Sequence, residues 1–220
     1  MLLQLSQIDV QPGQKVTLRN ISWDDFEQIL AELGDRRASR IAYYQGMLEI
    51  MVPLAGHESG KENIGDLVKV LLEELDIEFA SLGSTTFKRQ VINAGVEPDA
   101  CFYIQNEAVI RGKERIDLNF DPPPDLAIEI DFTSNSEIKK NSYAALGVPE
   151  LWVYNGRSLN LYVLQERQYV ATEQSQVFPN LPIVEAIPRY VDRSKVEGRN
   201  VAIKAFRRWV AEYLGTKGDN

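Results

Sequence analysis

The sequence that decides the fold is PDLAIEID at residues 124–131, taken together with EPD at residues 97–99. In the first segment Glu129 and Asp131 lie in an otherwise apolar run, which is typical of a buried β-strand. Successive side chains of a strand point to opposite faces, so these two carboxylates share one face. Because an unpaired buried carboxylate is costly, the pair indicates that a cation or a reaction uses it.

A second apolar run, ACFYI at residues 100–104, begins directly after Asp99. If the two runs form neighbouring strands, the carboxylates of Asp99, Glu129 and Asp131 converge at one strand end. Carboxylate oxygens bind hard cations such as Mg²⁺, a common metal of phosphoryl-transfer chemistry, and they suit Mn²⁺ as well. The sequence therefore predicts a metal site that uses magnesium or manganese.

The bulk properties are those of a globular protein. The chain has 220 residues, of which 44% are hydrophobic and 25% are charged, and we expect a single domain. It contains no apolar run of the roughly 18 to 20 residues that span a bilayer, and its opening residues, MLLQLS, lack the features of a signal peptide. Cys101, the one cysteine, lies in an apolar run and cannot form an internal disulfide. We therefore expect a cytoplasmic protein without a membrane segment.

The net charge of −8 counts against a broad, non-specific DNA-binding surface, because Lys and Arg drive phosphate binding. A local basic patch is still compatible with this charge. One segment, residues 189–208, has an excess of basic side chains: Arg189, Arg193, Lys195, Arg199, Lys204, Arg207 and Arg208. It predicts either a nucleic-acid contact or, more simply, the solvated face of a C-terminal helix.

The hydrophobic pattern predicts an extended arm at residues 1–21, a core at residues 22–175 and a C-terminal extension with a helix at residues 176–220. Ser22 and Asp25 resemble a capping box that starts a helix ending before Gly34. Residues 93–95 predict a turn, and residues 105–123 predict a loop or lid with one helical turn. The remaining predicted helices cover residues 57–75, 137–146 and 201–214, and the predicted strands cover residues 41–44, 47–51, 77–79, 85–91, 99–104, 125–131, 150–154, 159–164 and 169–172. This mixture predicts an α/β or α+β core with one sheet.

A lysine near two metal-binding carboxylates could position the attacking water or offset charge in the transition state. Two residues after Glu129, where a lysine would share its face, the chain has Asp131 instead. The predicted helix that follows offers Lys139 and Lys140, and either ammonium could reach back over the strand end.

Five segments together resemble the PD-(D/E)XK nuclease superfamily and, more narrowly, the Uma family of putative restriction endonucleases. They are YYQGMLEIM at 43–51, PLAGHE at 53–58, EPD at 97–99, PDLAIEIDFTS at 124–134 and YAALGVPELW at 143–152. The resemblance covers roughly residues 23–172. It implies a restriction-endonuclease-like core, a mixed β-sheet flanked by helices in the order α-β-β-β-α-β. It also implies a DNA substrate and hydrolysis of phosphodiester bonds by metal-activated water.

The resemblance also assigns roles to residues. Asp99 and Glu129 are the implied metal ligands, and the family's lysine is displaced from the strand to Lys139, with Lys140 as the alternative. Many relatives have a glutamate just before the hairpin turn, where this chain has Ala42, so Glu49 beyond the turn is the candidate replacement as a metal ligand.

A second departure is Asn135, at a position that is commonly acidic. These departures support a rival hypothesis, a catalytically degenerate nuclease fold that binds DNA or protein. A metal-dependent phosphoesterase acting on a small nucleotide is a third hypothesis.

Three further residues are candidates for the site. His57 could orient a metal ligand or bond a backbone group at the start of its helix. Glu58 could belong to the site or only favour the helix dipole, and Asp131 could act in the outer sphere of the metal or pair with a helix N-terminus. We also expect a homodimer, because duplex DNA has two strands to cut and two-fold symmetry is the commonest oligomer. The apolar face of the last helix is a candidate contact, through Val201, Ala205, Trp209 and Leu214.

Overall fold

The structure, a computed structural model, describes residues 8–34, 37–83, 85–131 and 136–217. Residues 1–7 of the predicted arm and Asn135 lie outside these ranges. The described helices are α1 (Trp23–Leu33), α2 (Ala55–Glu74), α3 (Glu107–Ile110), α4 (Glu137–Leu146), α5 (Ile183–Glu197) and α6 (Arg199–Lys217).

In the described part of the chain the strands form two sheets. The large sheet has the order β11-β10-β9-β8-β7-β4, in which β8 and β9 are parallel and the other neighbours are antiparallel. Its strands are β4 (Ala80–Leu82), β7 (Ala100–Tyr103), β8 (Leu126–Ile130), β9 (Glu150–Tyr154), β10 (Leu159–Gln165) and β11 (Gln168–Thr172). The small sheet is antiparallel with the order β1-β3-β2-β6-β5, from β1 (Lys15–Arg19), β2 (Arg40–Tyr44), β3 (Met47–Met51), β5 (Phe87–Arg89) and β6 (Ala94–Val96).

The central strands of the large sheet, β7, β8 and β9, are buried on both faces, so they are apolar nearly throughout. One face, which includes Ile128 and Trp152, packs against α2, α5 and α6. The opposite face, which includes Ala127 and Leu151, packs against α4 and the small sheet. Helix α1 then covers the outer face of the small sheet through Phe26. The site described below lies in the layer between the two sheets.

The mixed α/β fold flanked by helices is confirmed, but the prediction of one sheet was wrong. Strand β2 carries Ile41 and Tyr43 on one face and Ala42 on the other, and all three are buried. A sheet with two apolar faces can form a layer of its own between α1 and α4. The hydrophobic pattern of a strand shows that both faces are buried, but it does not show which layer covers each face.

Most predicted elements are present, and the differences have local causes. The capping box is formed, because the Ser22 Oγ accepts from the Asp25 N and the Asp25 carboxylate accepts from the Ser22 N. The turn predicted at residues 93–95 lies earlier, at residues 90–93, and ends at Asn93, because Ala94–Val96 pairs with both β2 and β5. The strand predicted at residues 77–79 begins three residues later as β4. Helix α5 was not predicted, since Pro188 interrupts its helical pattern.

Many of the basic and apolar side chains of the C-terminal region contact other residues of the same chain. The basic segment at 189–208 is largely balanced by ion pairs, namely Arg193–Glu197, Lys195–Asp192, Arg199–Asp66 and Arg207–Glu73 with Glu74. The apolar face of α6 packs on the core of its own chain, through Ala205, Trp209 and Leu214. Among the described residues, no helix has both the length and the apolar character that a membrane crossing requires.

Candidate active site

Asp99 and Glu129 face each other across two antiparallel strands. Strand β7 pairs with β8 so that Ala100 is opposite Ile128, and the next pair in this register is Asp99 with Glu129. Both carboxylates are buried, with 2% and 3% of their surface exposed. The backbone N–H of Ile130 donates to Asp99 Oδ2 at 2.8 Å. The pairing of β7 with β8 therefore holds the Asp99 and Glu129 side chains next to each other on one face of the sheet.

Helix α4 brings two further side chains to Glu129. The Lys139 Nζ lies 2.5 Å from Glu129 Oε2, and the Tyr143 hydroxyl donates to Glu129 Oε1. Residues four apart in a helix share a face, which explains why both side chains reach the same carboxylate. The helix starts at the N-cap Ser136, whose Oγ accepts from the Lys139 N at 3.2 Å. Tyr143 was not predicted as a partner, although its spacing from Lys139 was the available signal.

Burial and these partners set the protonation of the site. Burial raises the pKa of Glu129 to about 8, even though the Lys139 ammonium opposes that change. Burial also disfavours a charged Lys139, but Glu129 and Asp99 outweigh it and hold the pKa of Lys139 above its ordinary value. Burial, and then Glu129, raise the pKa of Tyr143 well above 10. Near neutral pH the site therefore contains a charged ammonium, a protonated phenol and a carboxyl that keeps its proton to higher pH than an ordinary glutamate.

A small recess opens beside Glu129 at the carboxyl end of β8. It has a volume of about 10 Å³, which is room for about one water-sized particle. Asp131 shares the recess with Glu129, as expected for residues two apart in a strand. Lys139 and Lys140 line it from α4, but the Lys140 Nζ lies 4.0 Å from the centre of the Tyr162 ring. Asp99 does not line the recess.

Two arginines, Arg40 and Arg37, form a cluster with Asp99 and Glu97, and the sequence analysis did not predict it. The Arg40 Nε from β2 is 3.8 Å from Asp99 Oδ1, and its Nη1 is 3.9 Å from Glu97 Oε1. The Arg37 Nη2 is 2.9 Å from Glu97 Oε2. Glu97 is two residues before Asp99, so the EPD segment supplies two carboxylates to one cationic cluster. The polar Arg40 at the start of an apolar strand was the signal for it.

The remaining candidates lie around this pair at different distances. Glu49 is buried on β3, opposite Ala42 of β2. Its Oε2 forms an ion pair with the Lys15 Nζ at a distance of 3.0 Å. His57 is buried in the first turn of α2, where burial lowers its pKa and Asp99 partly opposes that change. The Glu58 side chain is half exposed and pairs with Arg40.

The predicted convergence of three carboxylates is not formed among the described residues, which contain no group of three His, Cys, Asp or Glu side chains placed to hold a metal. Basic side chains contact two of these three carboxylates, Arg40 at Asp99 and Lys139 at Glu129, and Lys15 contacts the further candidate Glu49. Two adjacent carboxylates still fit magnesium, which is usually bound by one or two carboxylates with waters and substrate phosphates. Asp99 and Glu129 are therefore a chemically suitable pair.

Known proteins share this fold and this sequence pattern. One structure similar to this chain is the crystal structure of a putative nuclease belonging to DUF820 from Anabaena variabilis, with a TM-score of 0.50 and 17% identity over 86% of this chain and 99% of that one. At this identity the likeness concerns the fold alone. No curated protein matches the chain. The family model named Uma2, described as a putative restriction endonuclease, matches residues 23–193. Since that match spans most of the chain, the protein belongs to the Uma2 family.

Proposed function

We propose that this protein is a metal-dependent endodeoxyribonuclease, with Mg²⁺ or Mn²⁺ as its cofactor. The observation that carries the proposal is the buried Asp99–Glu129 pair, with the Lys139 ammonium against Glu129. Membership of a family described as a putative restriction endonuclease supports a nucleic-acid substrate. The chemistry would be hydrolysis of a phosphodiester bond by water.

Each residue has a distinct part in this proposal. Asp99 and Glu129 would hold the metal, which when bound polarises a phosphate oxygen and lowers the pKa of a coordinated water. Lys139 stays charged in its buried position and would offset the negative charge that builds on the phosphate. Tyr143 positions the Glu129 carboxylate through its hydroxyl.

Glu49, His57, Glu58, Asp131 and Lys140 form an outer group in this proposal. Asp131 and Lys140 line the recess and would contact water or substrate there. His57 lies close enough to Asp99 and Lys139 to be affected by their charges. Glu49 raises the pKa of Lys139, and Glu58 would act on Asp99 only through Arg40. These side chains would tune the charge of the site and are not needed as direct ligands.

The test is cleavage of supercoiled plasmid in MgCl₂ by the parent, Asp99→Asn and Glu129→Gln. Both variants should lose activity by on the order of 100-fold or more, because each removes a charged metal ligand. Glu107→Gln is the control, since Glu107 is also buried but lies in α3 beyond the opposite end of β7. Parent-level activity in both site variants would refute the proposal.

A second candidate function is a degenerate nuclease fold that binds DNA or protein without catalysis. The observation in its favour is that both Glu129 oxygens contact Lys139 and Tyr143, while Asp99 is contacted by Arg40. Isothermal calorimetry with MgCl₂ and MnCl₂, in the presence of duplex DNA, separates the two functions. Metal binding that disappears in Glu129→Ala supports the nuclease, and DNA binding without any metal binding supports the degenerate module.

We further propose that the protein is a homodimer in the cytoplasm. The free and buried Cys101 suits a reducing compartment, and a two-fold dimer would present one site to each strand of a duplex. Light scattering coupled to size-exclusion chromatography measures the mass directly. A mass of one chain at micromolar concentration would rule the dimer out.

A further inference from the structure

A second concave surface lies along α4, further from the start of this helix than the recess. We call it the arginine cleft and define it by Gln45, Arg89, Asn93, Asn141, Ala144 and Arg167. Its volume is about 650 Å³. Its walls are the β2–β3 turn, the segment between β5 and β6, the exposed side of α4 and the β10–β11 turn.

The arginine cleft is basic in an acidic protein. Arg89 and Arg167 are both exposed, and neither forms an ion pair with a described Asp or Glu. No described residue that lines the cleft is acidic, although the chain has a net charge of −8. The basic side chains on α5 and α6 differ, since Arg193, Lys195, Arg199 and Arg207 each form an ion pair with a nearby carboxylate. The cleft is therefore a localised site of unbalanced positive charge.

The walls of the cleft are held together by hydrogen bonds. The backbone N–H of Gln45 donates to the Asn93 carbonyl at 2.9 Å, which joins the two turns. Both residues adopt positive φ, 45° and 50°, so these turns have a defined backbone shape. The Ser142 Oγ donates to the Tyr43 carbonyl at 2.9 Å and fixes α4 to the small sheet. The side-chain amides of Gln45, Asn93 and Asn141 supply donors that suit phosphate oxygens.

The cleft and the recess meet on α4. Lys140 lines the recess, and the next residue, Asn141, lines the cleft. Lys140 and Ala144 are about 6 Å apart along the helix axis, and neighbouring phosphates of one strand rise by about 3.4 Å. A strand with one phosphate at the recess would therefore place its next phosphates in the cleft. A volume of about 650 Å³ suits several linked phosphates better than one small anion.

We propose that the arginine cleft binds the backbone of duplex DNA beside the phosphate to be cleaved, with Arg89 and Arg167 as the phosphate contacts. This inference rests on the proposed function, because it takes the recess as the reacting site. It assigns the DNA to the α4 side of the large sheet and away from the basic segment at 189–208.

The test measures binding of a fluorescent duplex by anisotropy in EDTA, where no metal-dependent cleavage occurs. Arg89→Gln with Arg167→Gln should weaken binding by at least about ten-fold and lower the slope of log K against log salt by about 1.8, since each lost phosphate contact accounts for about 0.9. Arg89→Lys with Arg167→Lys should retain most of the affinity. The matched control is Arg189→Gln with Arg208→Gln, which removes the same charge from α5 and α6. The control should stay within about two-fold of the parent.

Several outcomes would overturn the inference. They are absence of duplex binding by the parent, equal losses in the cleft and control variants, and a loss in the control alone. Thermal melting followed by circular dichroism is the folding control. Equal melting temperatures for the parent and all variants would show that the losses of binding arise in the folded protein. The plasmid assay tests the nuclease activity separately. If the parent never cleaves plasmid but the cleft variants lose duplex binding, the cleft is supported as a DNA-binding site and the nuclease is refuted. Conversely, the parent could cleave plasmid while the Arg89 and Arg167 variants bind duplex DNA as well as the parent does. That result would support the nuclease and refute the cleft as the DNA-binding site.

Discussion

At the scale of single residues, Lys139 and Lys140 are neighbours with different surroundings. Lys139 is buried against Glu129, whereas the Lys140 ammonium lies over the Tyr162 ring at the rim of the recess. The family resemblance favoured Lys139, by its spacing from Tyr143, and kept Lys140 as the alternative. The direction in which each side chain leaves α4 makes Lys139 the stronger candidate.

Lys139→Gln should reduce cleavage by on the order of 100-fold to 1000-fold, because it removes a fixed cation from the reacting site. Lys140→Gln should cost less than about ten-fold, since a cation over the half-buried Tyr162 ring contributes only about 1 kcal/mol. Single-turnover rates of plasmid cleavage measure both effects. A larger loss in the Lys140 variant would reverse the assignment.

Metal binding should depend on pH through Glu129. Burial raises the pKa of this carboxyl from its ordinary 4.5 to about 8, so below pH 8 an incoming cation must displace a proton. The apparent affinity for Mg²⁺ should rise by up to about ten-fold per pH unit between pH 6 and 8 and level off above pH 8. Calorimetric titrations at pH 6, 7, 8 and 9 give this profile. An affinity that stays constant over this range would contradict a raised pKa at the metal-binding carboxylate.

Cys101 should be inert in the folded protein. Burial raises the pKa of its thiol from an ordinary 9.0 to about 12, and the thiol donates to the Leu82 carbonyl. Because folding favours the protonated thiol, this contribution to stability is constant below pH 9 and is lost as the pH rises from 9 towards 12. Labelling with Ellman's reagent at pH 8 should be complete in guanidinium and negligible in buffer. Rapid labelling of the native protein would show that the thiol is accessible.

At the scale of elements, helix α4 contributes both to the hydrophobic core and to the candidate active site. It covers the inner face of the large sheet, presents Lys139 and Tyr143 to Glu129, and lines the arginine cleft with its later turns. Its position depends on the N-cap at one end and on Gly147 in the left-handed conformation at the other. Helix α1 has a similar cap at Ser22 but covers the outer face of the small sheet.

The two capping serines therefore offer a matched comparison. Ser22→Ala and Ser136→Ala should each lower the free energy of unfolding by about 1 kcal/mol, because each removes an acceptor from a helix N-terminus. Only Ser136→Ala should also reduce cleavage, since its Oγ bonds the backbone of Lys139. Urea denaturation and plasmid cleavage measure the two effects. Equal activity in the two variants would show that this cap does not position the lysine.

At the scale of the whole molecule, the layers pack closely at a few points. Phe26 from α1 is fully buried and stacks on Tyr43, with 4.5 Å between ring centres. A Cβ added at Gly95 of β6 would lie 2.8 Å from the Phe26 Cζ. This contact needs a residue without a side chain, because a ring held between two layers cannot move away.

Gly95→Ala should lower the free energy of unfolding by about 1 to 3 kcal/mol through overpacking. Gly65→Ala is the control, since it is the same change in α2, where an added Cβ meets nothing within 4 Å. It should be neutral or stabilise the protein by about 0.5 to 1 kcal/mol, because alanine is the better helix former. Urea denaturation measures both variants. A neutral Gly95→Ala would mean that α1 is free to shift on the small sheet.

The sequence by itself determined the elements whose signals are local. The period-two pattern around Glu129, the capping box at Ser22 and the hairpin at residues 41–51 depend on neighbours in the chain, and all three are present. The mixed α/β class followed from the order of these elements. The sequence brought Asp99 and Glu129 together only on the condition that their two apolar runs are neighbouring strands, and the antiparallel pairing of β7 with β8 meets that condition.

Only the tertiary structure decided which layers those elements form and which side chains meet. The division into two sheets, the contact of Arg40 with Asp99 and the walls of the arginine cleft join segments that are far apart in the chain. No local periodicity encodes such contacts, because they depend on how buried faces are distributed among competing layers. The contact of Arg40 with Asp99 and the hydroxyl of Tyr143 on Glu129 were therefore found only in the folded arrangement of the two sheets and α4.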